Sequence, residues 1–65
     1  MSEEQKVTIT VELSEEEAWQ LAQFFKRATF TDFRNNAESE EVAYTMIQAA
    51  GRVQRALAEK GYEPR

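Results

Sequence analysis

The chain has no cysteine and no histidine, and among its 65 residues only two are glycine and one is proline. Without thiols no disulfide can brace the fold, and without thiol or imidazole the usual zinc ligand sets are missing. No apolar run approaches the roughly 20 residues needed to span a bilayer. Residues 1–5 carry neither the basic nor the apolar region of a signal peptide. These absences lead to the expectation of a soluble cytoplasmic protein with no metal, no cofactor and no membrane contact. No nucleophile with a base, no metal cluster and no phosphate-cradling glycine loop is present, and the paired glutamates lie in polar runs with no apolar pocket to shift their ionisation. No catalytic residue is therefore assigned and no enzyme activity is expected. A chain this short also buries a smaller share of its surface than a longer one. With disulfides and metals excluded, a second copy or a partner is the remaining source of extra stability, and the expected state is a monomer or weak homodimer. One domain over residues 1–65 is expected, with frayed ends at about 1–5 and 63–65.

What the chain does have is organised around residues 6–27. Val7, Ile9, Val11 and Leu13 alternate with Thr8, Thr10 and Glu12, the period of a half-buried strand. Ser14 is followed three residues later by Glu17, the spacing of a capping box. Glu15 and Glu16 fall in the same first turn, where the helix dipole favours carboxylates. Ala18, Leu21, Ala22, Phe25 and Thr29 then keep the spacing of a buried helical stripe, with Phe24 flanking it and Trp19 pointing away.

Beyond residue 30 the pattern breaks. Thr31 or Asp32 can cap a short helical turn through Asn36, with Phe30 and Phe33 closing the end of the core and Asn35 and Asn36 suited to a turn. Ser39 caps a second long helix expected to run to about Lys60, with Val42, Met46, Ala49, Val53 and Leu57 as its apolar stripe and Ala43, Ala50 and Ala56 widening it. Gly51 lies on the far side, at some cost in helix propensity, where it allows close approach by another chain. Gly61 suits a left-handed helix end over which Tyr62 folds back, and Pro64 prevents resumption. Trp19, Tyr44 and Ile47 lie off their stripes, and the strand or the connecting segment is expected to cover them. The expected fold is a small α+β domain: an N-terminal strand, then two main helices joined by a short connecting helix. A lone strand leaves its backbone unpaired, so it either pairs with a second molecule or lies across the helices.

The formal net charge is −4, and it is unevenly spread. Acid gathers over residues 1–17 and 32–41, and base over residues 18–31 and 42–65. Both acidic blocks fall at helix starts and both basic blocks near helix ends, as dipole complementarity favours. An antiparallel helix pair would bring Lys26 and Arg27 to the start of the second long helix, and Arg52, Arg55 and Lys60 to Glu15, Glu16 and Glu17. Solvation and helix-end stabilisation account for such clusters in most surfaces. The sharper reading is that rows of carboxylates imitate nucleic-acid phosphates, which a lysine- and arginine-lined groove would accept. Glu15, Glu16, Glu17, Asp32, Glu38, Glu40 and Glu41 are the candidate partner-binding residues.

Two resemblances bear on function. The strand and capped helix of residues 6–25 resemble the ribbon-helix-helix repressors, whose paired strands enter the DNA major groove. Here the solvent face of the strand carries Lys6, Thr8, Thr10 and Glu12, one base and one acid. The runs TITVELSEEEAWQLAQFFKR at 8–27, TDFRN at 31–35 and AYTMIQAAGRVQRALAEKGYEPR at 43–65 together look like the small acidic anti-CRISPR proteins of phages and mobile elements, in particular those directed against type I-C systems. That resemblance implies inhibition without chemistry in the bacterial host cytoplasm. The protein would bind a Cas protein of the type I surveillance complex, its DNA-recognition subunit, and block target DNA, with no direct nucleic-acid binding of its own. The alternative is a dimeric ribbon-helix-helix-like regulator or antitoxin-type protein held together through residues 7–13.

Overall fold

In a computed structural model, residues 5–64 are described, and they form three helices: α1 (Glu15–Arg27), α2 (Phe30–Asn35) and α3 (Glu40–Glu59). Much of the expected fraying, at residues 1–4 and 65, lies outside the described residues. The expected α+β class is wrong, because among the described residues no strand forms. Residues 7–13 are irregular, and their alternating apolar side chains stand in solvent, from 84% exposed at Val7 to 41% at Leu13. The alternation is real, but a strand exists by pairing its backbone with a neighbour, and this chain supplies none.

Local chemistry at the helix starts accounts for where α1 and α2 begin. At α1 the Glu17 amide donates to Ser14 Oγ at 3.0 Å while the Ser14 amide donates to Glu17 Oε1 at 2.9 Å, which is the expected reciprocal box. A second box was not foreseen. The Asp32 amide donates to Thr29 Oγ1 at 3.3 Å, and the Thr29 amide donates to Asp32 Oδ2 at 2.8 Å. Thr29 is therefore the cap of α2 and not the last buried residue of α1, and Asp32 closes the box instead of capping. At α3 the Val42 amide donates to Ser39 Oγ at 3.2 Å, and the apolar Val42 offers no carboxylate in return.

The end of α3 follows the sequence expectation. Gly61 has φ +97°, its amide donates to the Ala58 carbonyl at 2.9 Å, and the Tyr62 amide donates to the Leu57 carbonyl at 2.9 Å. These are the two bonds of a Schellman motif. The turn folds Tyr62 back onto a core of Ala18, Ala22 and Leu57, to which Leu21 and Phe25 also pack.

α3 is the platform. α1 and α2 each pack on it, with no close backbone approach to each other. α1 runs antiparallel along its C-terminal half, placing Ala18 and Ala22 on Leu57 and the Trp19 ring 6.4 Å from Tyr62. α2 lies on the N-terminal half, with Phe30 centred 5.4 Å from Tyr44. The buried side chains among the described residues are Ala18, Ala22, Ala43 and Leu57, with Ala22 and Ala43 fully closed off. Ile47, expected off the stripe, is half-buried, whereas Val42, Ala49, Val53 and Ala56, expected in it, are exposed. The core line of α3 is thus 43, 46–47, 50 and 57, because two short helices cover only one side of an apolar band that is two faces wide.

The two glycines give opposite expectations for one substitution. A Cβ at Gly51 would meet nothing within 4 Å, and the residue sits in a helix interior, so Gly51→Ala stabilises by about 0.5–1 kcal/mol. At Gly61 the left-handed φ penalises any Cβ, so Gly61→Ala destabilises by about 1 kcal/mol. Thermal melts followed by circular dichroism read both signs, with shifts of about 4–8 °C per kcal/mol for a chain of this size.

Candidate functional site: the acidic ends and a basic hollow

The candidate acids are split between the two ends of the molecule. Glu15, Glu16 and Glu17 open α1, whose first turns lie beside the C-terminal end of α3, as the contacts of Ala18 with Leu57 and Trp19 with Tyr62 show. Glu38 precedes the start of α3, and Glu40 and Glu41 form its first turn. Asp32 is on α2, against that same half of α3. With 20 residues in α3 and a rise of 1.5 Å per residue, the two groups are separated by about 30 Å. The structure does not bring the seven residues into one row.

Their commitments also differ. Glu17 and Asp32 are held in capping boxes, and Glu16 Oε2 accepts from Gln20 Nε2 at 3.0 Å, one turn along. Glu15, Glu38, Glu40 and Glu41 are exposed and carry no such bond among those between described residues. For Glu17 and Asp32 the helix-start role is thus seen directly in hydrogen bonds, and a partner that took either carboxylate would uncap a helix.

The basic blocks land elsewhere than the antiparallel pairing suggested. α1 has 13 residues against the 20 of α3, so its C-terminal end stops near the middle of α3. Lys26 there lines an open hollow of about 380 Å³ in which Arg55, Glu63, Gly51 and Tyr62 also take part. A second open depression of about 620 Å³ adjoins it, lined by Gln48, Gly51, Arg52 and Arg55. Lys26 therefore lies in a hollow with Arg55 and Glu63, and not at the acids at the start of α3. Sequence reading missed this grouping because it depends on the difference in helix length and on Gly51, whose missing side chain leaves the floor open.

The remaining singled-out aromatics are partly covered. Phe30 of the connecting helix meets one side of Tyr44, which nonetheless stays 54% exposed, and Trp19 meets Tyr62 of the C-terminal turn. Among the described residues no group of three or more potential ligands is arranged to hold a metal ion, and no helix is long and apolar enough to cross a membrane.

Fold and surface define a small three-helix domain, built on one long helix, with charge segregated along its length. The chain belongs to the DUF7706 family, a family of unknown function, which it matches over residues 1–65. No curated protein and no solved structure matches it.

The unequal roles of neighbouring glutamates are measurable. Glu17→Ala breaks the box and lowers stability by about 1 kcal/mol, whereas Glu15→Ala loses only a dipole contribution of about 0.3–0.5 kcal/mol. Urea titrations of the two variants should show the larger midpoint shift for Glu17→Ala, and equal shifts would deny the box its role.

Proposed function

We propose that the protein is a non-catalytic binding protein that acts by occupying a surface of a macromolecular partner. The observation that supports this best is what the fold leaves in solvent: uncommitted acids at both ends and a run of apolar side chains over residues 7–13. Large uncovered apolar groups beside segregated charge are features of interaction surfaces. In its specific form the proposal follows the family resemblance drawn from the sequence. The protein is an anti-CRISPR inhibitor in the bacterial cytoplasm that binds the DNA-recognition subunit of a type I surveillance complex, I-C in the first instance, and blocks target DNA.

Under this reading Glu15 and Glu16 at one end, and Glu38, Glu40 and Glu41 at the other, stand in for two phosphate patches about 30 Å apart, while Glu17 and Asp32 shape the helix starts behind them. A second reading has one observation in its favour. The hollow bordered by Lys26, Arg52 and Arg55 offers clustered cations of the kind that contact a nucleic-acid backbone, which would suit a DNA-binding regulator.

An electrophoretic shift of target DNA by a purified type I-C surveillance complex separates the two. Added protein should abolish the complex-bound band and should not shift DNA alone. Replacing Glu38, Glu40 and Glu41 together with lysine should weaken inhibition at least tenfold with helix content kept. Undiminished loading of DNA in the presence of the protein would overturn the inhibitor reading, and a direct, salt-sensitive shift abolished by Arg52→Ala with Arg55→Ala would establish the second.

A further inference from the structure

We infer that residues 6–12 pair with the same residues of a second copy of this chain, antiparallel and with Ile9 opposite Ile9. Within one chain the segment has no neighbour. No backbone hydrogen bond between described residues uses an amide or carbonyl of residues 5–13, and the rest of the described chain is three helices with short connections, which present no strand edge. Val7, Ile9 and Val11 stand exposed. Val7, Thr8, Ile9, Thr10 and Val11 are consecutive β-branched residues, a composition that disfavours a helix and suits an extended ladder.

The order of the residues selects the occupant, its direction and its register. VTITV at residues 7–11 reads the same from either end, with Lys6 before it and Glu12 after it. Two antiparallel copies related by a two-fold axis through Ile9 therefore set Val7 against Val11, Thr8 against Thr10 and Lys6 against Glu12, each twice. Matched β-branched side chains, paired threonines and opposite charges are the cross-strand neighbours that stabilise a ladder. The apolar side chains of both copies share one face, and the threonines and charges share the other. Other arrangements lose this match. A register centred on Thr10 sets Thr8 against Glu12 and Lys6 against Ser14, and a slip of one residue mixes the two faces. A parallel copy in register sets Lys6 on Lys6 and Glu12 on Glu12.

The capping box of Ser14 and Glu17 bounds the ladder, because the chain beyond Leu13 is committed to α1. A two-stranded ladder is marginal in water, so the association is weak and follows protein concentration. It rests on neither functional reading and on no other partner.

Sedimentation equilibrium of the full chain from about 1 to about 500 µM tests it. The expected mass rises from 7.5 kDa toward twice that value. Ile9→Glu, a change at an exposed position outside the helices, places a carboxylate from each copy on the axis and should give the single-chain mass throughout with helical circular dichroism retained. Lys6→Glu turns opposite-charge pairs into like-charge pairs and should weaken association about tenfold, and Glu12→Lys added to it should restore the dimer. At the highest concentration, amide hydrogen exchange should slow at alternate residues within 6–12. A single-chain mass for the unaltered protein throughout this range would overturn the proposal. So would a dimer that survives Ile9→Glu, or one in which the amides of residues 6–12 exchange as fast as in dilute protein. A dimer lost in Ile9→Glu but not restored by the charge exchange would overturn the register.

Discussion

Everything in this structure depends on two short helices finding a foothold on one long one, and three of the four buried side chains in that foothold are a single carbon long. Ala18 and Ala22 lie against Leu57, and Ala43 is closed off in the half of α3 that carries α2. Small residues let backbones approach, but they bring little apolar area, and a fully buried alanine contributes far less than a buried leucine or phenylalanine. A 65-residue domain has about 3–10 kcal/mol of net stability in total. Two capping boxes and a Schellman turn, each worth about 1 kcal/mol, are then a large fraction of what holds the fold. Helix-end chemistry, a refinement in most domains, is here comparable with the core.

That balance explains which parts of the fold were legible in the sequence. Ser14 with Glu17, Ser39, and Gly61 with Tyr62 are local signals, each decided within three to five residues, and each appears in the structure in the expected role. Thr29 with Asp32 is the same signal, and it was passed over because Thr29 also fits the spacing of the α1 stripe. Decisions that need a distant partner fared worse. The alternation at residues 7–13 specifies which side chains share a face but cannot create a neighbouring strand. The apolar band on α3 is broad enough to suit either of two faces, and only the placement of α1 and α2 decides that Ala43, Ile47 and Leu57 turn inward while Val42 and Val53 do not.

The same distinction runs through the candidate site. Composition located the acids correctly at helix starts but could not say that they end up on opposite ends of a rod. The capping-box spacing did mark Glu17 as engaged by the backbone, but the matching role of Asp32 emerges only from the structure. The hollow around Gly51 arises because α1 is shorter than α3 and because position 51 has no side chain, facts that sit 25 residues apart from Lys26 in the sequence. The candidate surfaces are thus those the fold leaves uncovered.

The arrangement of α1 and α2 on α3, each packed on the long helix along a different half, also bears on folding. Contacts that are close in sequence form quickly, and helical chains with few long-range pairings fold in microseconds to milliseconds. α1 reaches α3 from the far side of the α2 connection and closes the longest loop. α2 and the start of α3 are near neighbours in the chain, and their contact closes a shorter loop. Docking α1 therefore costs more loop-closure entropy than docking α2, and the burial of Ala18 and Ala22 on Leu57, with Leu21, Phe25 and Tyr62 around them, offsets it.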